Sequence, residues 1–156
     1  MPHLARVTDL LATADRHLRR GHLTRAVVFY RKVLAATQDG DFRRELAHLR
    51  LGDIHLGQER PELALPHLRR AYALSGGEPD TSLMLGVALL ELDRHEEAAF
   101  HLQDALSSPV REAEALAALA RTCLAHGDRS GAAALARRAA ERDPSYMALV
   151  RECADA

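Results

Sequence analysis

The chain has 156 residues, of which 47% are hydrophobic, only 4% aromatic and 28% charged, with a formal net charge of −1. That is one domain's worth of chain. No stretch reaches the length of a membrane helix, and no strand-type alternation of polar and apolar residues appears, so a spanning protein and a β-rich fold are both set aside.

A period of 34 residues runs through the rest. Gly52 and Gly86 are separated by it, as are Ala64 and Ala98, Leu68 and Leu102, and Ala71 and Ala105; the step continues to Ala120, Ala132, Ala136 and Ala139. A fixed period of this size signals stacked copies of one supersecondary unit. The first unit spans 7–40 and contains TADRHLRRGHLTRAVVFYRKVL (13–34). Four inserted residues, Asp41 to Arg44, follow it. The second spans 45–78 with LGDIHLGQERPELALPHLRRAYAL (51–74), and the third spans 79–112 with LGVALLELDRHEEAAFHLQDAL (85–106). The fourth spans 113–146 with LARTCLAHGDRSGAAALARRAAERDP (119–144).

Within a unit, positions 4, 7, 8 and 11 form one helical stripe and positions 20, 24 and 27 another. This predicts two helices, A and B, packed through the small residues at 8 and 20. Gly21 and Gly127 stand at position 15, the A-to-B turn, where a left-handed conformation is useful. Pro61 suits the first turn of a B helix, whereas Pro66 removes a hydrogen bond inside it. Residues 147–156 continue the register into a short capping helix, with Met147, Leu149 and Val150 expected to cover the fourth unit. The start, MPHLARVTDLLATAD, lacks the basic head and sustained apolar run of a secretion signal.

These strings resemble the tetratricopeptide repeat. That family favours Gly or Ala at position 8, here Ala14, Gly52, Gly86 and Ala120. It favours Ala at position 20, here Ala26, Ala64, Ala98 and Ala132. Position 24 holds Tyr30, Leu68, Leu102 and Ala136, and position 27 holds Val33, Ala71, Ala105 and Ala139. The chain departs from the pattern in having no Trp at position 4 and Pro at position 32 only as Pro144. The resemblance implies an all-α, right-handed α-solenoid of four helix-turn-helix repeats with a C-terminal capping helix, forming a single domain over 1–156. It also implies that positions 2, 5, 6, 9, 12 and 13 of the A helices line a concave groove where protein partners bind.

Those positions bring Asp15, Leu49, Arg50, Asp53, Leu83, Met84, Val87, Leu90 and Arg121 onto one face. Leu49, Leu83, Met84, Val87 and Leu90 are expected to form an apolar floor, with Asp15, Arg50, Asp53 and Arg121 around it. The A helix of the third unit is apolar nearly all round, which asks for cover on every side. The Lys and Asn set with which some family members clamp a C-terminal carboxylate is replaced by Leu11, Asp15, Arg50, Asp80 and Met84, so that function does not carry over.

Other features are weaker. Arg31-Lys32, Arg69-Arg70 and Arg137-Arg138 recur at positions 25 and 26, broken by Gln103-Asp104. This ridge is read first as a solvated face near helix C-termini and second as a contact for nucleic acid or an acidic partner. None of the nine histidines forms an i, i+4 pair, and His48 and His55 are two turns apart, about 10 Å, too far to share one ion. No metal, cofactor or catalytic constellation is expected. Cys123 and Cys153 read as reduced thiols of an intracellular protein. Residues 1–78 carry 13 basic and 9 acidic residues, net +4, and residues 79–156 carry 8 and 13, net −5. The sequence therefore reads as a cytoplasmic adaptor or chaperone-like assembly factor, monomeric or weakly dimeric, holding a partner's peptide or helix. A self-assembling scaffold and a nucleic-acid-associated factor are the alternatives. Small bacterial secretion chaperones share the repeat fold and an apolar groove.

Overall fold

How closely two helices approach depends on what stands between their backbones. At positions 8 and 20 this chain places residues with almost nothing to displace. In the computed structural model, which describes the backbone of residues 2–155 and the side chains of residues 5–155, Ala14, Ala26, Ala64, Ala98, Ala120 and Ala132 are all fully buried. The described residues fold as nine α-helices and one 3-10 turn, with no strand. They divide into two compact units, Met1–Gly76 and Gly77–Ala156.

The first unit holds α1 (Pro2–Arg19), α2 (Leu23–Ala36), α3 (Phe42–Leu56) and α4 (Pro61–Ser75). Helix α1 packs on α2 and α3 on α4, and α2 and α3 join the two pairs. Their core gathers Val7, Leu11, Ala14, Ala26, Tyr30, Val33, Ala47, Leu51 and Ile54. The second unit holds α5 (Pro79–Glu91), α6 (His95–Ala105), α7 (Glu112–Ala125) and α8 (Arg129–Arg142), followed by the 3-10 turn Pro144–Tyr146 and α9 (Met147–Asp155). Here α5 pairs with α6 and α7 with α8, and α9 lies on α8. Leu149 and Cys153 of α9 enter a core with Leu116, Ala120, Ala132, Ala136 and Ala139. Met147 faces solvent instead, at 47% exposure, so Leu149 and Cys153, with the half-buried Val150, supply the cover expected of it. Ala156, the last residue of the expected cap, lies outside the described residues.

The pairs are fitted to each other by compensation between positions 8 and 24. A Cβ built on Gly86 would lie 2.6 Å from Leu102 Cγ and 3.3 Å from the Ala98 carbonyl oxygen. One on Gly52 would lie 2.5 Å from Leu68 Cγ. Where position 24 is Leu, position 8 is Gly. Where position 24 is Tyr30 or Ala136, position 8 tolerates Ala.

The A-to-B turns share one backbone device. Position 15 takes positive φ in all four units: 71° at Gly21, 57° at Glu59, 55° at Asp93 and 77° at Gly127. The two glycines have open space about their Cα atoms, so conformation rather than crowding selects them. Glu59 and Asp93 hold the same geometry against the steric preference of L-residues.

The insertion Asp41 to Arg44 is not a loop. It lengthens α3 by a turn, so the helix begins at Phe42 rather than near residue 45. Asp41 caps it, accepting the Arg43 backbone N–H at 3.0 Å. Arg43, also ion-paired to Asp41, donates to Thr8 of α1 at 3.1 Å. Arg44 donates to the Leu34 and Thr37 carbonyls at 2.7 and 2.9 Å, satisfying acceptors at the end of α2. Helix α4 runs unbroken through Pro66, whose exposed position puts the missing hydrogen bond within reach of water.

Two outcomes follow for stability. Gly86→Ala is expected to destabilise by about 1–2 kcal/mol through overpacking, despite the better helix propensity of Ala. Combining it with Leu102→Ala recreates the Ala–Ala pair of the fourth unit, so the double variant should be more stable than the two single effects added. Denaturant titration of the four species reads this directly, and strict additivity would remove the contact from its role. Glu59→Gly is expected to stabilise by about 0.5–1 kcal/mol by relieving the left-handed strain, with a smaller gain for Asp93→Gly because Asp tolerates that region better. An unchanged or lower midpoint for Glu59→Gly would refute the strain at this turn.

Candidate functional site

The face to be tested is carried by the A helices α1 and α3 in the first unit, and α5 and α7 in the second. In each unit the two A helices touch directly. That contact decides which positions of the face remain accessible.

In the first unit, Asp15, Leu49 and Arg50 are half-buried and Asp53 is exposed. The group organising them is Tyr30 of α2, whose side chain is fully buried and whose hydroxyl donates to Asp15 Oδ1 at 2.6 Å. Burial pushes the Tyr30 phenol far above its ordinary value, the hydrogen bond to Asp15 and the charge of that carboxylate raise it further, and Arg50 opposes while Asp53 adds to the rise. Asp15, Arg50 and Asp53 therefore share one electrostatic neighbourhood around a neutral phenol. The sequence placed Tyr30 in the core through position 24 but did not disclose that its hydroxyl orients a carboxylate on the predicted face.

In the second unit, Met84, Val87 and Leu90 of α5 are half-buried, and Arg121 of α7 is exposed. Leu83 differs from its expected role in the groove floor. It is 2% exposed, on a helix packed against both α6 and α7, and so offers no area to a partner. Position 5 is buried as Leu11 and Ala117 too, and only Leu49 keeps it half-buried. The helix that looked apolar all round is mostly covered, through Leu83, Leu85, Ala88 and Leu89. What remains partly open is the line Met84, Val87, Leu90, spaced three residues apart.

Charged groups stand near this line. Arg111 bridges α5 and α7, with Asp80 at 3.1 Å and Glu114 at 3.3 Å. Tyr146, in the turn before α9, is half-buried. Burial pushes its phenol up, Glu114 and Asp143 add to this, and Arg121 opposes. Tyr146 thus belongs to the surroundings of Arg121, although sequence reasoning assigned it no role; its one signal was being an aromatic at the end of the last unit in an aromatic-poor chain.

The cationic ridge on the B helices is partly neutralised, since Arg70 pairs with Asp39 and Arg138 lies 3.9 Å from Glu112, while Lys32 keeps its charge 4.8 Å above the Phe29 ring. Among the described residues no group of three or more His, Cys, Asp or Glu is arranged to hold a metal ion. Likewise, no described helix is long and apolar enough to cross a membrane.

An all-α chain of paired helices, with partly open apolar side chains on the A helices, defines a repeat-type interaction module. The chain belongs to the tetratricopeptide repeat family: two models described as tetratricopeptide repeat match residues 11–79 and 55–122. Solved structures share the fold. YrrB, described as a TPR protein with an unusual peptide-binding site, is 19% identical with a TM-score of 0.80, over 96% of this chain and 75% of that one. MamA from Desulfovibrio magneticus RS-1 is 23% identical with a TM-score of 0.76, over 89% and 76%. PilF of Pseudomonas aeruginosa is 21% identical with a TM-score of 0.79, over 98% and 69%. No curated protein sequence matches the chain.

Tyr30→Phe removes a part-buried hydrogen bond to a carboxylate while keeping the ring. It is expected to lower stability by about 1–2 kcal/mol, measured by chemical denaturation. A variant as stable as the parent would show that the Asp15 carboxylate exchanges this bond for water at no cost.

Proposed function

We propose that the chain, acting as a single domain over 1–156, is a cytoplasmic adaptor or chaperone-like assembly factor. It holds an extended peptide or a helix of a protein partner against the A-helix face. The family membership supports protein binding in general. The observation that carries the finer reading is the line Met84, Val87, Leu90, three apolar side chains left half-covered on a helix whose other sides are packed. Apolar anchors of this kind take alternate or helically spaced side chains of a ligand. Within the second unit Arg121 supplies a polar contact that fixes direction; the same face of the first unit carries Asp15, Arg50 and Asp53 as polar contacts of its own. That YrrB is described as having a peptide-binding site lends support from a protein of like fold. The reading gives the chain no catalysis, cofactor or metal, and takes the free chain as a monomer or weak dimer.

A photo-crosslinking residue placed at Met84 is expected to capture the partner in the native cell, whereas one at Phe100, exposed on α6, should not. Against that partner, Val87→Glu should weaken binding at least tenfold, because it sets a charge among apolar contacts. Wild-type affinity in a folded Val87→Glu variant would move the interface elsewhere, and loss of folding would assign Val87 to the core.

A further inference from the structure

Three imidazoles meet in the first unit. His48 and His55 stand two turns apart on α3, and His67 reaches between them from α4. His48 Nδ1 and His67 Nδ1 are 3.0 Å apart, their rings 5.3 Å apart, and the ring of His55 stacks on that of His67 at 6.0 Å with the planes 14° apart. His48 and His55 are buried and His67 half-buried. The His48–His67 bond needs one protonated and one bare Nδ1, so it exists only while at least one ring is neutral. Two further ring nitrogens, His48 Nε2 and His55 Nδ1, are buried without a hydrogen-bond partner among the described residues. A bare ring nitrogen is the tolerable orphan in such a place; an N–H with no acceptor is not. For neutral rings this assigns the tautomers: His48 donates through Nδ1 and keeps Nε2 bare, His67 accepts, and His55 keeps Nδ1 bare.

The charges facing the cluster have one prevailing sign. His48 is faced by Arg44 of its own helix and Arg70 of α4, opposed by Asp39 from the α2–α3 connection, a carboxylate already paired with both arginines. His55 is faced by Arg31 of α2 and Arg60 of the α3–α4 turn, and His67 by Arg31 and by His55. A proton arriving on any ring therefore meets cations.

We propose that His48, His55 and His67 form an acid-sensitive lock between α3 and α4, closed while the rings are neutral and opened when they take up protons. The first unit then loosens in acid before the second. In the second unit the histidine pair His95 and His126 lies beside carboxylates instead, with Asp93 at 3.9 Å from His95 and Glu96 at 3.6 Å from His126.

The direction of the effect follows from linkage. Burial, then His67, Arg44 and Arg70, holds His48 down from 6.5 to about 4, and burial first also lowers His55 and His67. Folded values below unfolded ones mean that the unfolded chain binds more protons. The contribution is complete above about pH 6.5 and is lost as pH falls toward 4. His17 on α1, lowered by burial and by Arg25, His22, Arg20 and Arg16, adds the same sign at the other end of α1 and α2. The readout is therefore taken at α3 and α4.

Amide hydrogen exchange on the full chain, corrected for intrinsic rates, should show protection in α3 and α4 falling at least tenfold between pH 7 and pH 5, with a smaller fall in α7 and α8. The double variant His48→Gln, His67→Gln should flatten that difference. Imidazole resonances of the parent chain provide a second measurement that needs no variant: His48 should titrate near 4, and His67 below its ordinary 6.5. Titration of both at or above 6.5, or an equal loss of protection in both units, overturns the lock. So does an undiminished acid response of α3 and α4 in a folded double variant.

Discussion

The fold rests on how near helix A comes to helix B. Hydrophobic stabilisation grows with apolar area removed from water, and large aromatic side chains are the usual way to gather it. This chain has few of them. It gains area by bringing backbones together, so that alanines and leucines reach full burial from short side chains. That solution leaves little slack. A Leu at position 24 occupies the volume a Cβ at position 8 would need, and the sequence answers with Gly52 and Gly86. The turn between the helices is constrained in step. Four left-handed residues at position 15 turn the chain in the same backbone conformation whether or not glycine is present to make that easy.

The tightness of the pairs also shapes the face proposed for binding. Packing α5 against both α6 and α7 takes position 5 into the interior and leaves Met84, Val87 and Leu90 half open. In the first unit the face is more polar, and its carboxylate Asp15 is held from beneath by a buried phenol. A side chain fixed in this way loses less freedom when a ligand arrives, which favours recognition over adaptability. The two units thus offer different chemistry from the same repeat positions.

Much of this was legible in the sequence, because repetition multiplies a weak signal. One alanine at position 20 means little; four in register identify the A–B contact, and the period placed the helix pairs and the cap. Features that depend on more than one helix were not legible. Leu83 carries the same apolar signal as Met84, and only tertiary packing separates the covered residue from the half-open one. His67 falls at no special spacing from His48 or His55, so their meeting required the antiparallel return of α4. Glu59 and Asp93 gave no sign of left-handed backbone, since neither is glycine. Their shared register with Gly21 and Gly127 was the available clue. Asp41 to Arg44 looked like an interruption because it broke the period, although its residues cap α3, tie it to α1 and close the end of α2.

That insertion shows where such a chain tolerates a change in length. Four residues are close to one helical turn of 3.6. Added at the start of α3, they extend the axis by about 6 Å without rotating the stripe Ala47, Leu51, Ile54 that faces the core. The same four residues placed mid-helix would turn everything beyond them by about 40° and carry a small residue away from its contact. Insertions and deletions in descendants of this sequence should therefore gather at helix starts and turn tips. The 34-residue ruler then survives inside each pair while the spacing between pairs drifts.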